Sequence, residues 1–310
     1  MKIIFLGTPN FAKTVLEGIL NSCHKVVAVV AQPDKVNARG GKTQFSPVKQ
    51  FALEKELRIF QFDKISQKEN CDILRSLTAD IMVTSAYGQI LSREVLDLTK
   101  GGVINVHGSL LPKYRGASPV QCAILNGETE IGITIMKTEL SVDSGDMILK
   151  RSIILSDENA CEAMEKLAVI GAEALVTALN LIEKGEAVFT PQNESEATFC
   201  KKISKEQAHL SFNQTAEKAV NFIRAMAYAP SAYIKTRHGN LKILKAKAST
   251  FEANGAPFGT VVRADKRGVL VMCLDFPIEL LSVQGEGGKV MAGADYFRGR
   301  PVNEGERFNE

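Results

Sequence analysis

The sequence predicts an α/β protein: a Rossmann-like domain on a mostly parallel sheet, followed by a small C-terminal β-barrel of the OB-like kind. Three observations carry that expectation. The chain has 310 residues, long for one compact core and comfortable as two. Residues 1 to about 105 alternate short β-branched runs with amphipathic stretches, the pattern of parallel strands joined by crossover helices. The last third instead shows short strand-like runs punctuated by Gly239-Asn240, Asn254-Gly255 and Gly287-Gly288, the texture of a small barrel.

In chain order, strands are expected at Lys2 to Gly7, Val26 to Ala31, Arg58 to Gln61, Ile81 to Ser85 and Val103 to Val106, then at Ile131 to Met136 and Met147 to Ile154. Thr8-Pro9, Ser46-Pro47 and Ser118-Pro119 each place a capping hydroxyl before a proline at the first helical position. Gln121, three residues after Ser118, completes a capping box for a helix running to about Leu125. A long helix is expected from about Ala160 to Glu183, with Met164, Leu167, Ala168, Ile170 and Leu175 as apolar positions and a stop at Lys184-Gly185. The stretch from 185 to 205 mixes Pro, Asn, Ser and charge and reads as an extended linker. A short helix follows at Thr215 to Met226. The expected boundaries are 1–188 for the first domain, 189–205 for the linker and 206–310 for the second domain.

Composition narrows the function. With 45% apolar and 24% charged residues the chain is globular. No apolar run is long enough to span a bilayer, and the apolar start is cut by Pro9 and Asn10 too early for a signal sequence, so a cytoplasmic, monomeric protein is expected with no membrane partner. Cysteines at 23, 71, 122, 161, 200 and 273 form no C-x-x-C pair, and histidines at 24, 107, 209 and 238 show no H-x-x-x-H spacing, so neither a disulfide framework nor a metal is expected. Gly7-Thr8-Pro9 lacks the glycines that cradle a dinucleotide pyrophosphate, which argues against a nicotinamide dehydrogenase. The net charge of +3 is unevenly spread: residues 201 to 250 carry a local net of +8, and the remainder a net of −5. Such a block is the footprint of a surface that meets phosphates, since each basic contact gains by releasing condensed counterions. On charge alone a plain solvated basic face is an equal alternative.

The chemistry concentrates in Asn105-Val106-His107-Gly108-Ser109-Leu110-Leu111-Pro112-Lys113-Tyr114-Arg115-Gly116, directly after a buried strand. Residues two apart on a strand share a face, so Asn105 and His107 can converge at the carboxyl end of the sheet, where open α/β folds bind ligands. Asp143, in Val142-Asp143-Ser144-Gly145-Asp146-Met147, can meet His107 across that crevice. Asn, His and Asp without a Ser or Cys nucleophile suit an acyl transfer in which the substrate itself attacks. Singly, each has a bland alternative: Asn105 as a strand-end cap, His107 as a satisfied half-buried histidine, Asp143 as an Asx-turn former.

The run Asn105 to Gly116, with Asp143 to Met147 some thirty residues on, resembles the signature of the 10-formyltetrahydrofolate-dependent formyltransferases. The resemblance extends to Ile4 through Phe11, Gln32-Pro33-Asp34, Ser46-Pro47-Val48-Lys49, Ala86 through Leu91 and Lys202 through Glu206. It is nearest to those members that formylate the methionine amino group on initiator methionyl-tRNA, and so implies 10-formyltetrahydrofolate as co-substrate and initiator methionyl-tRNA as partner. It implies that Asn105, His107 and Asp143 are catalytic, that Ser109, Leu110, Leu111 and Pro112 line the folate site, and that the backbone of Tyr87, Gly88, Gln89 and Ile90 holds the pterin. It also implies that the insertion from Lys35 to Phe45, with Arg39 and Lys42, grips the tRNA acceptor end. Lys245 and Lys247, in the basic block, are then candidate tRNA contacts. One departure stands out: where a Pro-rich turn containing tryptophan is expected, the chain has Tyr228-Ala229-Pro230-Ser231-Ala232-Tyr233, and it has no Trp at all. A formyltransferase acting on glycinamide ribonucleotide or a nucleotide-linked amino sugar, or a formyltetrahydrofolate hydrolase, shares the same core, but a small substrate needs neither basic feature. A plain RNA-binding module has no reason to keep Asn, His and Asp together.

Overall fold

The run Lys-Ile-Ile-Phe-Leu-Gly is buried at every position after the first, as a strand covered on both faces must be. In the computed structural model, which describes residues 1–36, 43–227, 229–253 and 255–308, this strand, Lys2–Gly7, lies inside a seven-stranded sheet. The order across the sheet is Met147–Ile154, Glu130–Lys137, Val103–His107, Ile81–Ser85, Lys2–Gly7, Lys25–Ala31, Ile59–Gln61. Lys2–Gly7 runs parallel to both its neighbours, and only the pairing of Val103–His107 with Glu130–Lys137 is antiparallel among the registers described. The chain builds outward from Lys2–Gly7 in one direction, then returns to build in the other. That reversal opens a crevice at the carboxyl ends of the strands.

The hydroxyl–proline signals come out differently from one another. Ser46 caps the helix Pro47–Glu54, accepting from the Lys49 amide at 3.2 Å, as expected. Thr8 does not cap: Pro9 is the N-cap of Asn10–Leu20, and the Thr8 hydroxyl instead donates to the Tyr87 carbonyl at 3.0 Å. Ser118 does not cap Pro119–Leu125 with its side chain either; its backbone (φ −138°, ψ 50°) lies outside the extended conformation of a usual N-cap. The capping box is not formed; Gln121 donates to the carbonyls of Ala225 and Ala229, at 3.1 and 3.2 Å.

The chain divides into two compact units. One comprises Met1–Gly116, Glu130–Ile153 and Met164–Phe199, and the other Ala117–Thr129, Ile154–Ala163 and Cys200–Glu310. Hydrogen bonds explain why two short early segments belong with the late one. Besides the bonds of Gln121, Arg224 donates to the carbonyls of Glu158 and Ser156 at 3.1 and 3.0 Å, and Leu125 packs on the second core. In that second unit the antiparallel strands Tyr233–Thr236, Gly239–Ala248, Pro277–Gly285, Gly268–Met272 and Val261–Asp265 pair in that order, with Met291–Ala292 against Pro277–Gly285. This is a half-barrel around Leu241, Ile243, Val261, Val271, Ile278 and Leu280. Thr215 caps its helix, Ala216–Met226, accepting from the Lys218 amide at 3.3 Å.

Two substitutions in the first unit should move stability in opposite directions. A Cβ on Gly132 would lie 2.3 Å from the Arg151 carbonyl oxygen and 2.4 Å from Leu110 Cδ2, so Gly132→Ala forces two strands apart. It should cost about 1–3 kcal/mol and lower the melting temperature. Tyr87 is buried, and its hydroxyl finds no hydrogen-bond partner among the described residues. Tyr87→Phe should therefore melt at or above the wild-type temperature. Burial also pushes the Tyr87 phenol up to about 12. The wild type should lose stability as pH rises from the ordinary tyrosine value of about 10 toward that figure, because the unfolded chain ionises first. The Phe variant should lack that loss in melts taken across the alkaline range.

Candidate active site

Val103–His107 ends with its last residue buried, in register with Glu130–Lys137 so that Asn105 faces Met136 and His107 faces Thr134 across the pair. Period-two geometry puts the Asn105 and His107 side chains on one face, as the sequence predicts. Asp143 reaches them from a tight turn between strands. Gly145 passes so close to Lys137 that an added Cβ would sit 1.9 Å from its carbonyl oxygen, so only glycine fits. Asp143 itself takes a left-handed φ of 48°. Its Oδ1 accepts from Asn105 Nδ2 at 3.4 Å, while Oδ2 accepts from the Gly116 amide at 2.8 Å and lies 3.5 Å from His107 Nδ1. The structure thus brings the three expected residues together.

Hydrogen-bond logic sets the imidazole. His107 Nε2 lies 3.0 Å from the Tyr114 carbonyl, which can only accept, so Nε2 carries hydrogen. A neutral ring would then turn the Nδ1 lone pair toward the Asp143 carboxylate. The arrangement is satisfied when one proton lies between them, on His107 or on Asp143. The chemistry available is that of a proton-holding pair beside an amide donor, at the end of a buried strand.

The loop after the strand is built more from backbone than from offered side chains. The Ser109 hydroxyl donates to the Lys113 carbonyl at 2.6 Å, and the Thr134 hydroxyl bridges the Ser109 carbonyl and the Leu111 amide, at 2.7 and 3.0 Å. Leu111 and Pro112 are buried and Leu110 is half-buried, so Leu110 is the member of the quartet whose side chain is partly open. At Tyr87 to Ile90, the Tyr87 side chain is core and its carbonyl accepts from Thr8 and from Gln32 Nε2 at 3.1 Å. Gln89 is taken up by the backbone of Phe62 and Ile65, at 2.8 and 2.9 Å. Gly88, at φ 93°, and Ile90, 87% exposed, are what this loop presents.

Several functional-looking groups carry no sequence signal for their partners. Lys49 donates to Asp34 and, at 2.7 Å, to Gln61 Oε1, whose amide donates in turn to Asp34 Oδ1 at 2.9 Å. Burial pushes the Asp34 carboxyl up, but the Lys49 ammonium and the Gln61 amide outweigh it and hold it below the usual carboxylate range. This network ties together the Gln32-Pro33-Asp34 and Ser46-to-Lys49 motifs at the base of the insertion. Arg39 and Lys42 lie outside the described residues, as does Tyr228. Gln192, 49 residues from Asp143, donates to its carbonyl at 2.8 Å. Lys245 and Lys247 are exposed on Gly239–Ala248, with Lys247 Nζ 3.3 Å from Glu279. Among the described residues one group could hold a metal: Cys23, His24 and Glu183. The Met1 ammonium already engages it, 2.7 Å from Glu183 Oε1 and 3.2 Å from His24 Nδ1. No described helix is long and apolar enough to cross a membrane.

The formyl transferase family matches residues 1–179, and its C-terminal domain matches residues 202–301. The methionyl-tRNA formyltransferase of Ruminiclostridium cellulolyticum is 39% identical over 313 residues, covering 100% of both chains. That of Solibacter usitatus is 40% identical over 311 residues, covering 100% of this chain and 99% of its own. Among solved structures, an N-formyltransferase from Helicobacter canadensis, in complex with folinic acid and dTDP-3-aminofucose, superposes with a TM-score of 0.65. It is 19% identical and covers 90% of this chain and 98% of its own. The methionyl-tRNA formyltransferase from Clostridium thermocellum gives a TM-score of 0.54 at 18% identity, over 81% of this chain and 95% of its own. These two likenesses are of fold. Matched across both of its domains, and alike over its whole length to the curated relatives, the chain belongs to the formyl transferase family.

Proposed function

We propose that this protein transfers the formyl group of 10-formyltetrahydrofolate to the amino group of methionine on initiator methionyl-tRNA, acting as a monomer in the cytoplasm. The observation that carries the reading is full-length likeness, near 40% identity, to relatives named methionyl-tRNA formyltransferase, in a chain whose Asn105, His107 and Asp143 converge. The exposed lysines of the second unit support a polyanionic substrate over a small amine.

Bound 10-formyltetrahydrofolate supplies an electrophilic formyl carbon on a nitrogen that must leave with a proton. The protein's part is to handle that proton and the developing oxyanion. The attacking amine loses one proton and the leaving nitrogen gains one, so a pair able to pass a single proton between its members serves both ends of the transfer. Asp143 receives the proton of the amine, and His107, aligned by the Tyr114 carbonyl, relays one to the leaving nitrogen. Asn105 Nδ2, beside the same carboxylate, is the neutral donor for the oxyanion, joined by the Nδ1–H of His107 when that ring is protonated. No side chain is acylated. Leu110 and the backbone of Gly88 to Ile90 are the folate-facing parts, with Ser109, Leu111 and Pro112 shaping the loop.

The test is incubation with 10-formyltetrahydrofolate and charged initiator tRNA, followed by detection of formylmethionine. Absence of product, with formylation of a nucleotide-linked amine instead, would transfer the reading to the small-amine class. Asp143→Asn should lower turnover by roughly 10²-fold or more while leaving folate affinity within about twofold. Near-normal turnover in that variant removes Asp143 from the proton pathway. In the second unit, tRNA affinity should fall steeply with salt, and Lys245→Gln should reduce the slope of log affinity against log salt by about 1. Lys247→Gln should change it less, because that ammonium already faces Glu279. A salt-independent affinity contradicts the assignment.

A further inference from the structure

Resting on the formyl-transfer reading, we infer that the segment from 190 to 198 is a positioning clasp for the proton pair, with Gln192 setting Asp143 and Thr198 setting His107. The Gln192 amide places one hydrogen on the Asp143 carbonyl and the other on the Gly145 carbonyl, each at 2.8 Å. These are the two carbonyls of the turn in which Asp143 holds its left-handed φ of 48°. A turn residue in that region is strained unless neighbours over-determine it. Gln192 supplies two of those determinants, and the Gly116 amide on the carboxylate supplies a third.

The orientation of the amide is itself fixed. Gln192 Oε1 accepts from Arg115 Nε at 3.0 Å, and a guanidinium can only donate. The oxygen of Gln192 must therefore face Arg115, which leaves both amide hydrogens for the turn. Arg115 is 3% exposed at its side chain, and its two terminal nitrogens donate to Glu194 at 3.0 and 2.7 Å in the paired geometry that suits Arg and carboxylate. That bond holds the Glu194 carboxyl below its usual range.

The other arm reaches the imidazole. The Tyr114 amide donates to Thr198 Oγ1 at 2.8 Å, and the Tyr114 carbonyl accepts from His107 Nε2 at 3.0 Å. Tyr114 has a left-handed φ of 62°, and the Arg115 amide donates to the Thr198 carbonyl at 2.8 Å, so Thr198 brackets the residue that aims the ring. One segment thus fixes both ends of a 3.5 Å pair whose function depends on separation.

The experiment uses the full-length protein with 10-formyltetrahydrofolate and charged initiator tRNA, and begins with the wild type. Gln192→Leu removes both donors at similar size and should lower kcat at least about tenfold, with KM for the formyl donor unchanged. In an Asp143→Asn background the same substitution should cost nothing further, because Gln192 acts through that carboxylate. Thr198→Val, at an exposed position, should lower kcat in the same KM-independent way, which keeps the clasp testable even if Gln192→Leu fails to fold. Wild-type kcat in Gln192→Leu or in Thr198→Val overturns the clasp. An undiminished further loss from Gln192→Leu in the Asp143→Asn background does so too, since it marks a general structural role. An inactive wild type overturns the formyl-transfer reading and the clasp with it, whereas an active wild type with an indifferent Gln192→Leu overturns the clasp alone.

Discussion

One carboxylate organises the first unit. Asp143 must stand within reach of Asn105, His107 and the Gly116 amide at once, and no regular element delivers it there: it comes from a turn with a left-handed residue, beside a glycine that grazes a carbonyl. A side chain on a loop is ordinarily free to sample rotamers, and a carboxylate held 3.5 Å from an imidazole nitrogen has lost that freedom. The surrounding architecture removes the freedom piece by piece. The strand Val103–His107 fixes two of the partners by its pleat, and the carboxylate is then fitted to them from outside the sheet.

The same economy of backbone shows on the other side of the crevice. Where strand order reverses, the carboxyl ends of Lys2–Gly7, Lys25–Ala31 and Ile81–Ser85 are joined through a single carbonyl, that of Tyr87, which accepts from both Thr8 and Gln32. With that carbonyl occupied and the Tyr87 ring in the core, the next residues are held open, Gly88 at a φ that only glycine adopts without strain and Ile90 almost fully exposed. A ligand meeting this loop meets main chain, a rigid surface that loses little entropy on binding.

What the sequence made legible follows the range of the interactions. The inner strands were readable because burial on two faces needs unbroken apolar runs, and all seven strands of the sheet, its half-buried or exposed edges included, lie within a residue or two of their expected limits. Asn105 and His107 were readable together because a strand repeats every two residues. Ser46 was readable as a cap because a cap needs only its next three residues, whereas Thr215, expected as the first helical residue, is the cap of Ala216–Met226. Thr8 and Ser118 carry the same local signal without capping: for Thr8 a tertiary partner 79 residues away outweighs a bond worth about 1 kcal/mol, and Ser118 has a backbone outside the usual N-cap conformation. Gln192 and Arg115 were invisible for the opposite reason. Their partners lie 49 and 77 residues away, Gln192 itself sits in a stretch whose Pro, Asn and Ser content reads as linker, and a polar, glycine-poor loop looks the same whether it dangles or clasps.

Charge teaches the same lesson about range. A net of +3 for the whole chain describes no part of it, because screening at physiological salt cuts interactions off at about 8 Å, far less than the span of a 310-residue protein. A polyanion near residues 201–250 therefore responds to the local balance of charge, not to the net of the whole chain. Not all of that excess faces outward. Arg224 is turned onto the carbonyls of Ser156 and Glu158, Arg237 onto Glu306 and the Pro301 carbonyl, and Lys247 onto Glu279. Lys218, Lys242 and Lys245 are exposed. Gly239–Ala248 buries Leu241, Ile243 and Ala246 in the half-barrel core, and register shifts between Ile243 and Ala246 switch the alternation so that Lys245 and Lys247, like Lys242, are exposed. The pleat and the irregularity in it that build the second core thus also sort its charges, leaving a basic stripe on the solvent side of one strand.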